Sequence, residues 1–276
     1  MKTKVYVIKR SPEESDQDTI LRTLKMVPLK KIITNAEKKI LINPNWVTLD
    51  HFRTGNVTST DTLEGIVKYL IEDAGIESKK IIVADGGDSS ITDKTMELND
   101  VFRLEEYGIK VKDLNSDSRI NDIKIQEPFA LKTINIAKTA LDASCIISVP
   151  SLKTHSMART TLTMKNMMGA ILPKGVMHSK LHQKIADLAS LFRSKMKFQI
   201  IDGIIGSDGF ELGGSPIQMD LIIAGEDPVA VDKVGSEIIG RNPKYLNYAE
   251  KKGLGTSNLK EIEIIGSPIE AVFRKF

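Results

Sequence analysis

The stretch that decides the fold is Lys80-Ile81-Ile82-Val83-Ala84-Asp85-Gly86-Gly87-Asp88. Its apolar run is short and holds no polar residue after Lys80, which is typical of a strand that is buried on both faces in a parallel sheet. Acidic residues and glycines follow it, so the chain turns at the carboxyl end of this strand. The glycines would let backbone amides approach a ligand, and an ordinary turn is the equal alternative.

Strand and helix patterns alternate on both sides of this stretch. Further strands are predicted at Val5–Ile8, Lys39–Ile42, Ile109–Leu114, at the end of Phe129–Val149, and at Lys197–Asp202, Ile217–Ala224 and Ile262–Ile265. Helices are predicted at Asp18–Met26, from Thr60 to near Gly75, and at 91–107, Thr160–Leu172, His178–Phe192, from Pro228 to Gly240, and Asn242–Lys252. This order predicts an α/β fold with an open, mainly parallel sheet and helices on both faces. We expect a single domain over residues 1–276, and a small additional lobe around 156–195 is the alternative.

Composition excludes several classes of protein. The chain has 276 residues, of which 41% are hydrophobic and 27% charged, and no apolar run reaches the length of a membrane span. The apolar run at Val5–Ile8 is too short for a secretory signal, so we expect a cytoplasmic protein without membrane contact. The net charge of +3 gives only weak support for a nucleic-acid partner, and the low aromatic content of 5% argues against one.

The single cysteine limits redox chemistry. With Cys145 alone, this chain cannot form an intrachain disulfide or supply a cysteine-ligated iron–sulfur or zinc cluster by itself. Cys145 lies within an apolar strand pattern, so we expect it to be buried and to pack as a small hydrophobic residue.

The best candidate site follows the strand that ends at Val149. The next residues are Pro150-Ser151-Leu152-Lys153-Thr154-His155. In an extended segment, Lys153 and His155 point to the same side because side chains two apart share a face. The lysine would supply a fixed positive charge for an anion, and the histidine would act as acid or base. A solvated loop is the alternative.

Other polar segments fall at predicted strand ends, where open α/β sheets bind ligands. The five segments are Asn43–Trp46, Asp85–Ser90, Pro150–His155, Asp202–Gly214 and Gly225–Asp227. From them and the predicted helix at 160–172 we select as catalytic His155, Lys153 and Asp202, and as ligand-binding Asn45, Asp85, Asp88, Lys165, Asn166, Asp208 and Asp227. The glycine-rich segment 203–214 would form a permissive loop, and the sequence leaves open whether it is a lid.

His178 and His182 suggest a metal site. They are four residues apart in a predicted helix, so they would share one face, and two imidazoles so placed can hold a divalent ion. A third ligand would have to come from elsewhere, and a charged, pH-sensitive helix face is the alternative. The sequence lacks the dinucleotide fingerprint, the phosphate-loop motif and the serine-hydrolase elbow, so nicotinamide, ATP and serine hydrolase chemistry gain no support.

Five ordered motifs resemble the domain-of-unknown-function 362 family. They are Val149-Pro150-Ser151-Leu152-Lys153-Thr154-His155, Met164-Lys165-Asn166-Met167-Met168-Gly169, Lys184-Ile185-Ala186-Asp187-Leu188, Ile201-Asp202-Gly203-Ile204-Ile205-Gly206, and Ala224-Gly225-Glu226-Asp227-Pro228-Val229-Ala230-Val231-Asp232. Members of this family often carry ferredoxin-type cysteine motifs, and this chain, with one cysteine, departs from that pattern. The resemblance implies no particular reaction.

Together these patterns predict an enzyme that acts on a small anionic metabolite, a carboxylate or a phosphorylated molecule, at a strand-end pocket. One alternative is a non-catalytic redox or cofactor-handling accessory protein with an iron–sulfur protein as partner. A nucleic-acid binder is the weaker alternative. The sequence names no cofactor beyond the possible divalent metal ion.

Overall fold

The architecture comes from a computed structural model that describes residues 2–33, 39–88 and 90–276. The strands in these ranges are β1 Thr3–Lys9, β2 Lys39–Pro44, β3 Ile81–Asp85, β4 Lys110–Asp113, β5 Arg119–Lys124, β6 Thr133–Ala137, β7 Ala143–Val149, β8 Ser151–His155, β9 Arg159–Thr161, β10 Met196–Asp208, β11 Ser215–Gly225 and β12 Ile262–Gly266. The helices are α1 Asp16–Met26, α2 Leu29–Ile33, α3 Thr60–Lys68, α4 Thr92–Leu98, α5 Lys138–Asp142, α6 Thr163–Asn166, α7 Leu181–Leu191, α8 Pro228–Ile238, α9 Tyr245–Lys251 and α10 Ile269–Val272.

One large sheet organises the described chain. Its strands run in the order β12-β1-β11-β10-β7-β2-β3-β4, with β8 added beside β10 and β9 beside β8. Most neighbouring pairs are parallel, and β11 runs antiparallel to both β1 and β10. The hairpin β5–β6 forms a separate two-stranded sheet. The predicted mainly parallel α/β fold is therefore confirmed.

Helices cover both faces of the sheet because successive strand residues point in opposite directions. In β2, Ile40 and Ile42 pack into the core cluster that holds the apolar faces of α1 and α3. Leu41, between them, packs into the cluster that holds α7 and α9. In β3 every residue is buried, which confirms the prediction from its uniformly apolar sequence. Cys145 of β7 lies in the first cluster and is buried, as expected, and burial raises the pKa of its thiol to about 12.

Two predicted helix starts are confirmed by their caps. The side chain of Ser59 accepts a hydrogen bond from the backbone amide of Asp61 at the start of α3. The Asp227 carboxylate accepts from the amides of Val229 and Ala230 at the start of α8, where Pro228 takes the first helical position. Such caps satisfy amides that have no partner inside the helix.

Half of the glycine-rich segment, residues 203–208, is strand, which corrects the prediction of a loop over 203–214. Strand β10 continues to Asp208 and pairs with β11 up to Asp208 opposite Ser215, so only residues 209–214 form the hairpin turn. Close packing accounts for a glycine within the strand: a Cβ on Gly206 would lie 2.7 Å from the Phe276 ring. The sequence could not distinguish this tight contact from a flexible loop.

Three predicted helices are also shorter than their patterns indicate. The segment 160–172 contains only α6 and a 3₁₀ turn at Met167–Ala170. The segment 91–107 divides into α4 and a 3₁₀ segment at Val101–Tyr107. The third, α7, begins at Leu181, so His178 lies outside it. The apolar spacing in these segments reflects packing against the core, since Met96, Met164 and Leu188 are buried there.

The antiparallel direction of β11 moves one predicted segment away from the others. Gly225, the last residue of β11, lies opposite Gln199 near the start of β10. The segment Gly225–Asp227 therefore lies at the amino-terminal edge of the parallel strands, so its prediction as a strand-end segment on the ligand-binding side of the sheet is wrong. Among the residues that the structure describes, no helix is both long enough and apolar enough to cross a membrane.

Candidate functional site

Lys153 lies in the interior of β8, between β9 and β10. It pairs with Thr161 on one side and Ser207 on the other, so the segment after Pro150 is a strand and not the solvated loop that was the alternative. Its side chain is 1% exposed, and its Nζ donates a hydrogen bond to the backbone oxygen of Asn56 at 2.7 Å. Burial lowers the pKa of Lys153 to about 7, and repulsion from Lys165 acts in the same direction.

Lys165 is a second buried lysine, carried by α6 at 9% exposure. Among the described residues, none forms a hydrogen bond or an ion pair with its Nζ. Burial lowers the pKa of Lys165 to about 8, against the charge of Glu211, which raises it. A buried amine without a partner carries a desolvation cost that an anionic ligand could offset.

His155 stands at the end of β8 with its Nδ1 already engaged. That atom accepts hydrogen bonds from the backbone amides of Met157 at 3.1 Å and Ala158 at 3.3 Å. Burial, followed by the charge of Lys165, lowers the pKa of His155 to about 3, so the ring is neutral near pH 7. A neutral ring whose Nδ1 accepts must carry its proton on Nε2. His155 therefore carries a hydrogen-bond donor at Nε2, and this tautomer is not a general base at that atom.

Glu211 completes the cluster, and sequence reasoning did not select it. It lies in the turn after β10, and its two carboxylate oxygens accept from the amide and the hydroxyl of Ser156, both at 3.0 Å. One of these oxygens lies 3.6 Å from Nδ1 of His155. Burial raises the pKa of Glu211, but the hydrogen bonds and His155 outweigh it and lower the value to about 2. The only signal in the sequence was a lone charge among the glycines and apolar residues of 209–214.

Asn45, Asn166 and Asp85 form a buried network that ties the strand ends together. The Asn166 amide donates to the backbone oxygens of Asn43 and Pro44 at 2.8 and 3.0 Å, and its oxygen accepts from Asn45 at 2.9 Å. The Asp85 carboxylate accepts from the backbone amide of Trp46 at 2.8 Å and from the side chain of Asn43 at 3.2 Å. Burial raises the pKa of Asp85. These three residues fix β2, β3 and α6, and through α6 the position of Lys165.

Glycines let this network close. A Cβ on Gly169 would lie 1.7 Å from an oxygen of Asp85, and one on Gly87 would lie 1.8 Å from the backbone oxygen of Trp46. The turn after β3 is therefore held against two neighbouring segments. Trp46 itself is fully buried in the core cluster.

Asp202, selected as catalytic, is a buried carboxylate inside β10. It accepts hydrogen bonds from the backbone amides of Ser59 at 3.0 Å and Ile204 at 3.3 Å. Burial raises its pKa to about 6. No described hydrogen bond joins it to Lys153 or His155, so in this arrangement Asp202 anchors the start of α3.

The remaining acidic residues lie apart from the cluster or at its rim. Asp88 is exposed and accepts hydrogen bonds from Ser90, while Ser89 of the same turn lies outside the described residues. Asp208 pairs with Arg241 at 3.4 Å and lies 3.5 Å from the Thr154 hydroxyl. Asp227 caps α8 at the opposite sheet edge, and burial raises its pKa.

The histidine pair lacks the geometry that was predicted for it. His178 follows a 3₁₀ turn and precedes α7, whereas His182 lies in the first turn of α7, so the two do not share one helix face. His182 stacks on Tyr245 with ring centroids 6.3 Å apart, and burial lowers its pKa. Within the described part of the chain, no group of three or more His, Cys, Asp or Glu residues is placed to hold a metal ion.

A second residue that the sequence did not select is Asp232, which holds α6 against α8. Its carboxylate accepts from the backbone amide and hydroxyl of Thr163 at 2.8 and 2.5 Å, from the amide of Met164 at 3.2 Å, and from the Tyr245 hydroxyl at 3.2 Å. Burial raises the pKa of Asp232 to about 7. A single carboxylate on the apolar face of a helix was the available signal.

Two cavities of the described surface lie away from this cluster. One of about 1060 Å³ is bordered by Lys124, Phe129, Arg193, Lys251 and neighbouring residues, and one of about 360 Å³ lies near Asp227. Neither is lined by Lys153, His155 or Lys165. A ligand at Lys165 would offset the desolvation of an amine that has no partner among the described residues. Lys252 beside the large cavity, in contrast, already pairs with Asp187 at 3.2 Å.

This arrangement of strand-end residues falls within a region with known relatives. Residues 40–237 match the family described as Domain of unknown function (DUF362), and the chain belongs to that family. The chain is 28% identical over 133 residues to the Thylakoid-associated protein sll1697 of Synechocystis sp., a match that covers 44% of this chain and 41% of that protein.

One solved structure also matches part of the chain. The lactate racemase apoprotein from Thermoanaerobacterium thermosaccharolyticum matches with a TM-score of 0.49 and 14% identity. The match covers 92% of this chain and 56% of that protein. The chain thus spans less than two thirds of either relative.

Proposed function

We propose that this chain is an enzyme that binds a small anionic molecule, a carboxylate or a phosphorylated metabolite, at the cluster of Lys153, His155 and Lys165. The observation that carries the proposal is the buried amine of Lys165, which has no hydrogen-bond partner among the described residues and lies close enough to Lys153 to lower its pKa. An anion there would relieve both the desolvation of Lys165 and the repulsion between the two lysines.

The three residues would have different roles. Lys165 supplies the accessible charge, because the Nζ of Lys153 is occupied by the Asn56 carbonyl and is buried more deeply. Nε2–H of His155 donates a hydrogen bond to the anion. With a pKa of about 8, Lys165 exchanges its proton near neutral pH, so it is a better proton-transfer group than His155.

The proposal is tested with Lys165→Met, which keeps an apolar stem of similar length and removes the charge. A charged hydrogen bond of about 1.5–3 kcal/mol should be lost, so calorimetry should show oxalate or inorganic phosphate binding about 10- to 100-fold more weakly. The matched control is Lys110→Met, which removes an exposed lysine of β4. Equal affinities of Lys165→Met and the wild type would contradict the proposal.

Binding experiments with other molecules distinguish the two alternative functions. A nucleic-acid binder would bind a single-stranded oligonucleotide with an affinity that falls steeply as salt rises, and both lysine variants would weaken it similarly. An accessory protein for an iron–sulfur partner would bind that partner while showing no affinity for small anions.

A further inference from the structure

The turn that carries Glu211 has an unusual distribution of side chains. Its carboxylate turns inward to Ser156, whereas the flanking Phe210 and Leu212 are 73% and 62% exposed. An isolated hairpin turn gains nothing by exposing two large apolar side chains while the carboxylate between them, at 24% exposure, is held against the chain. The contact with Ser156 places the Glu211 carboxylate beside His155, with one oxygen 3.6 Å from its Nδ1.

The positive charges of Lys153 and Lys165 favour a carboxylate at this place. Glu211 raises the pKa values of Lys153, His155 and Lys165, so its negative charge acts on all three. Its two oxygens each meet one donor of Ser156 at 3.0 Å. Glu211 thus makes the contacts that a carboxylate ligand would make at this place.

We propose that Glu211 occupies the carboxylate subsite of this protein, and that a ligand carboxylate displaces it to bind Ser156 beside the cationic cluster. This inference rests on the proposed function and narrows the ligand class to carboxylates. The subsite offers one amide and one hydroxyl donor to two oxygens, which matches a planar carboxylate. A phosphoryl group would leave further charged oxygens to be satisfied.

The turn has the backbone freedom that displacement requires. Gly209 and Gly213 have φ angles of +123° and +151°, a region that residues with side chains rarely adopt. The Thr154 hydroxyl accepts from the amide of Gly209 at 2.7 Å and donates to its oxygen at 2.9 Å, so the base of the turn is fixed. Movement would be confined to the segment 210–214, where an outward Glu211 would free Phe210 and Leu212 to cover the ligand.

The test removes the internal carboxylate. In Glu211→Ala, acetate should bind at least about 10-fold more tightly than in the wild type by calorimetry, because the competitor is gone and the Ser156 donors are open. Glu211→Gln keeps the size of the side chain, removes its charge and should give a smaller gain. Glu97→Ala, which removes an exposed glutamate of α4, is the control and should leave affinity unchanged.

Hydrogen exchange supplies a second readout. Oxalate bound to the wild type should increase amide exchange in 210–214, since the contacts with Ser156 are broken. If oxalate binding depends on Lys165 but acetate affinity is the same or lower in both Glu211 variants than in the wild type, the subsite inference is overturned and the proposed function stands. If Lys165→Met leaves oxalate binding unchanged, the proposed function itself fails.

Discussion

Replacing Asp232 with Asn should change how stability depends on pH. In the folded chain burial raises the pKa of Asp232 from 3.8 to about 7. A carboxyl group with a raised folded-state pKa contributes its full stability below the unfolded pKa, and that contribution is lost as pH rises through the folded value. The shift of about three units at 1.36 kcal/mol each corresponds to an ionisation cost of about 4 kcal/mol.

This ionisation cost develops mainly between pH 3.8 and about pH 7, the unfolded and folded pKa values of Asp232. From about pH 5 to about pH 8 the wild type should lose about 2.5 kcal/mol that Asp232→Asn does not lose, because the amide does not ionise. Asn also keeps one oxygen acceptor for Thr163, although its amide hydrogens oppose the other donors, which adds a cost that is independent of pH.

Urea unfolding of both proteins, followed by circular dichroism at several pH values, gives this difference directly. Asp202 also titrates with a raised pKa, but it is present in both proteins and cancels. A difference in unfolding free energy that stays constant between about pH 5 and pH 8 would refute the buried, raised-pKa carboxylate.

Two further substitutions test the scaffold around the site. Gly169→Ala should lower the free energy of unfolding by about 1–3 kcal/mol in thermal or urea unfolding, because its methyl group would overlap Asp85; an unchanged stability would show that the contact is loose. Asp187→Asn should lower the free energy of unfolding by about 2–4 kcal/mol. The Asp187 carboxylate accepts hydrogen bonds from the backbone amides of Phe129, Ala130 and Leu131, and it pairs with Lys252. The control is Asp142→Asn at an exposed residue, which should change the stability little.

The sequence predicted the sheet well where one signal dominated. The uninterrupted apolar run of β3 indicated burial on both faces, and the Asp227-Pro228 pair marked the start of α8. The sequence could not predict the direction of β11, because an antiparallel strand has the same residue pattern as a parallel one. Only the pairing of β11 with β1 and β10 shows that Asp227 lies at the amino-terminal edge of the parallel strands.

Residue type identified the polar groups but could not assign their partners. Asp85, Asp202 and Asp232 are all carboxylates at conspicuous places, yet each accepts hydrogen bonds from backbone amides of a neighbouring segment. Lys165 looked like an ordinary helix residue, and its burial without a partner depends on how α6 packs. Glu211 reaches the cluster only because the β10–β11 hairpin brings its turn beside Ser156.

The most direct measurement of the central claim is a crystal structure of the wild type with oxalate bound. Oxalate is expected within hydrogen-bond distance of Nζ of Lys165 and Nε2 of His155, with Glu211 turned away from Ser156. Oxalate bound instead in the cavity beside Lys124, Arg193 and Lys251, with Lys165 unoccupied, would contradict it.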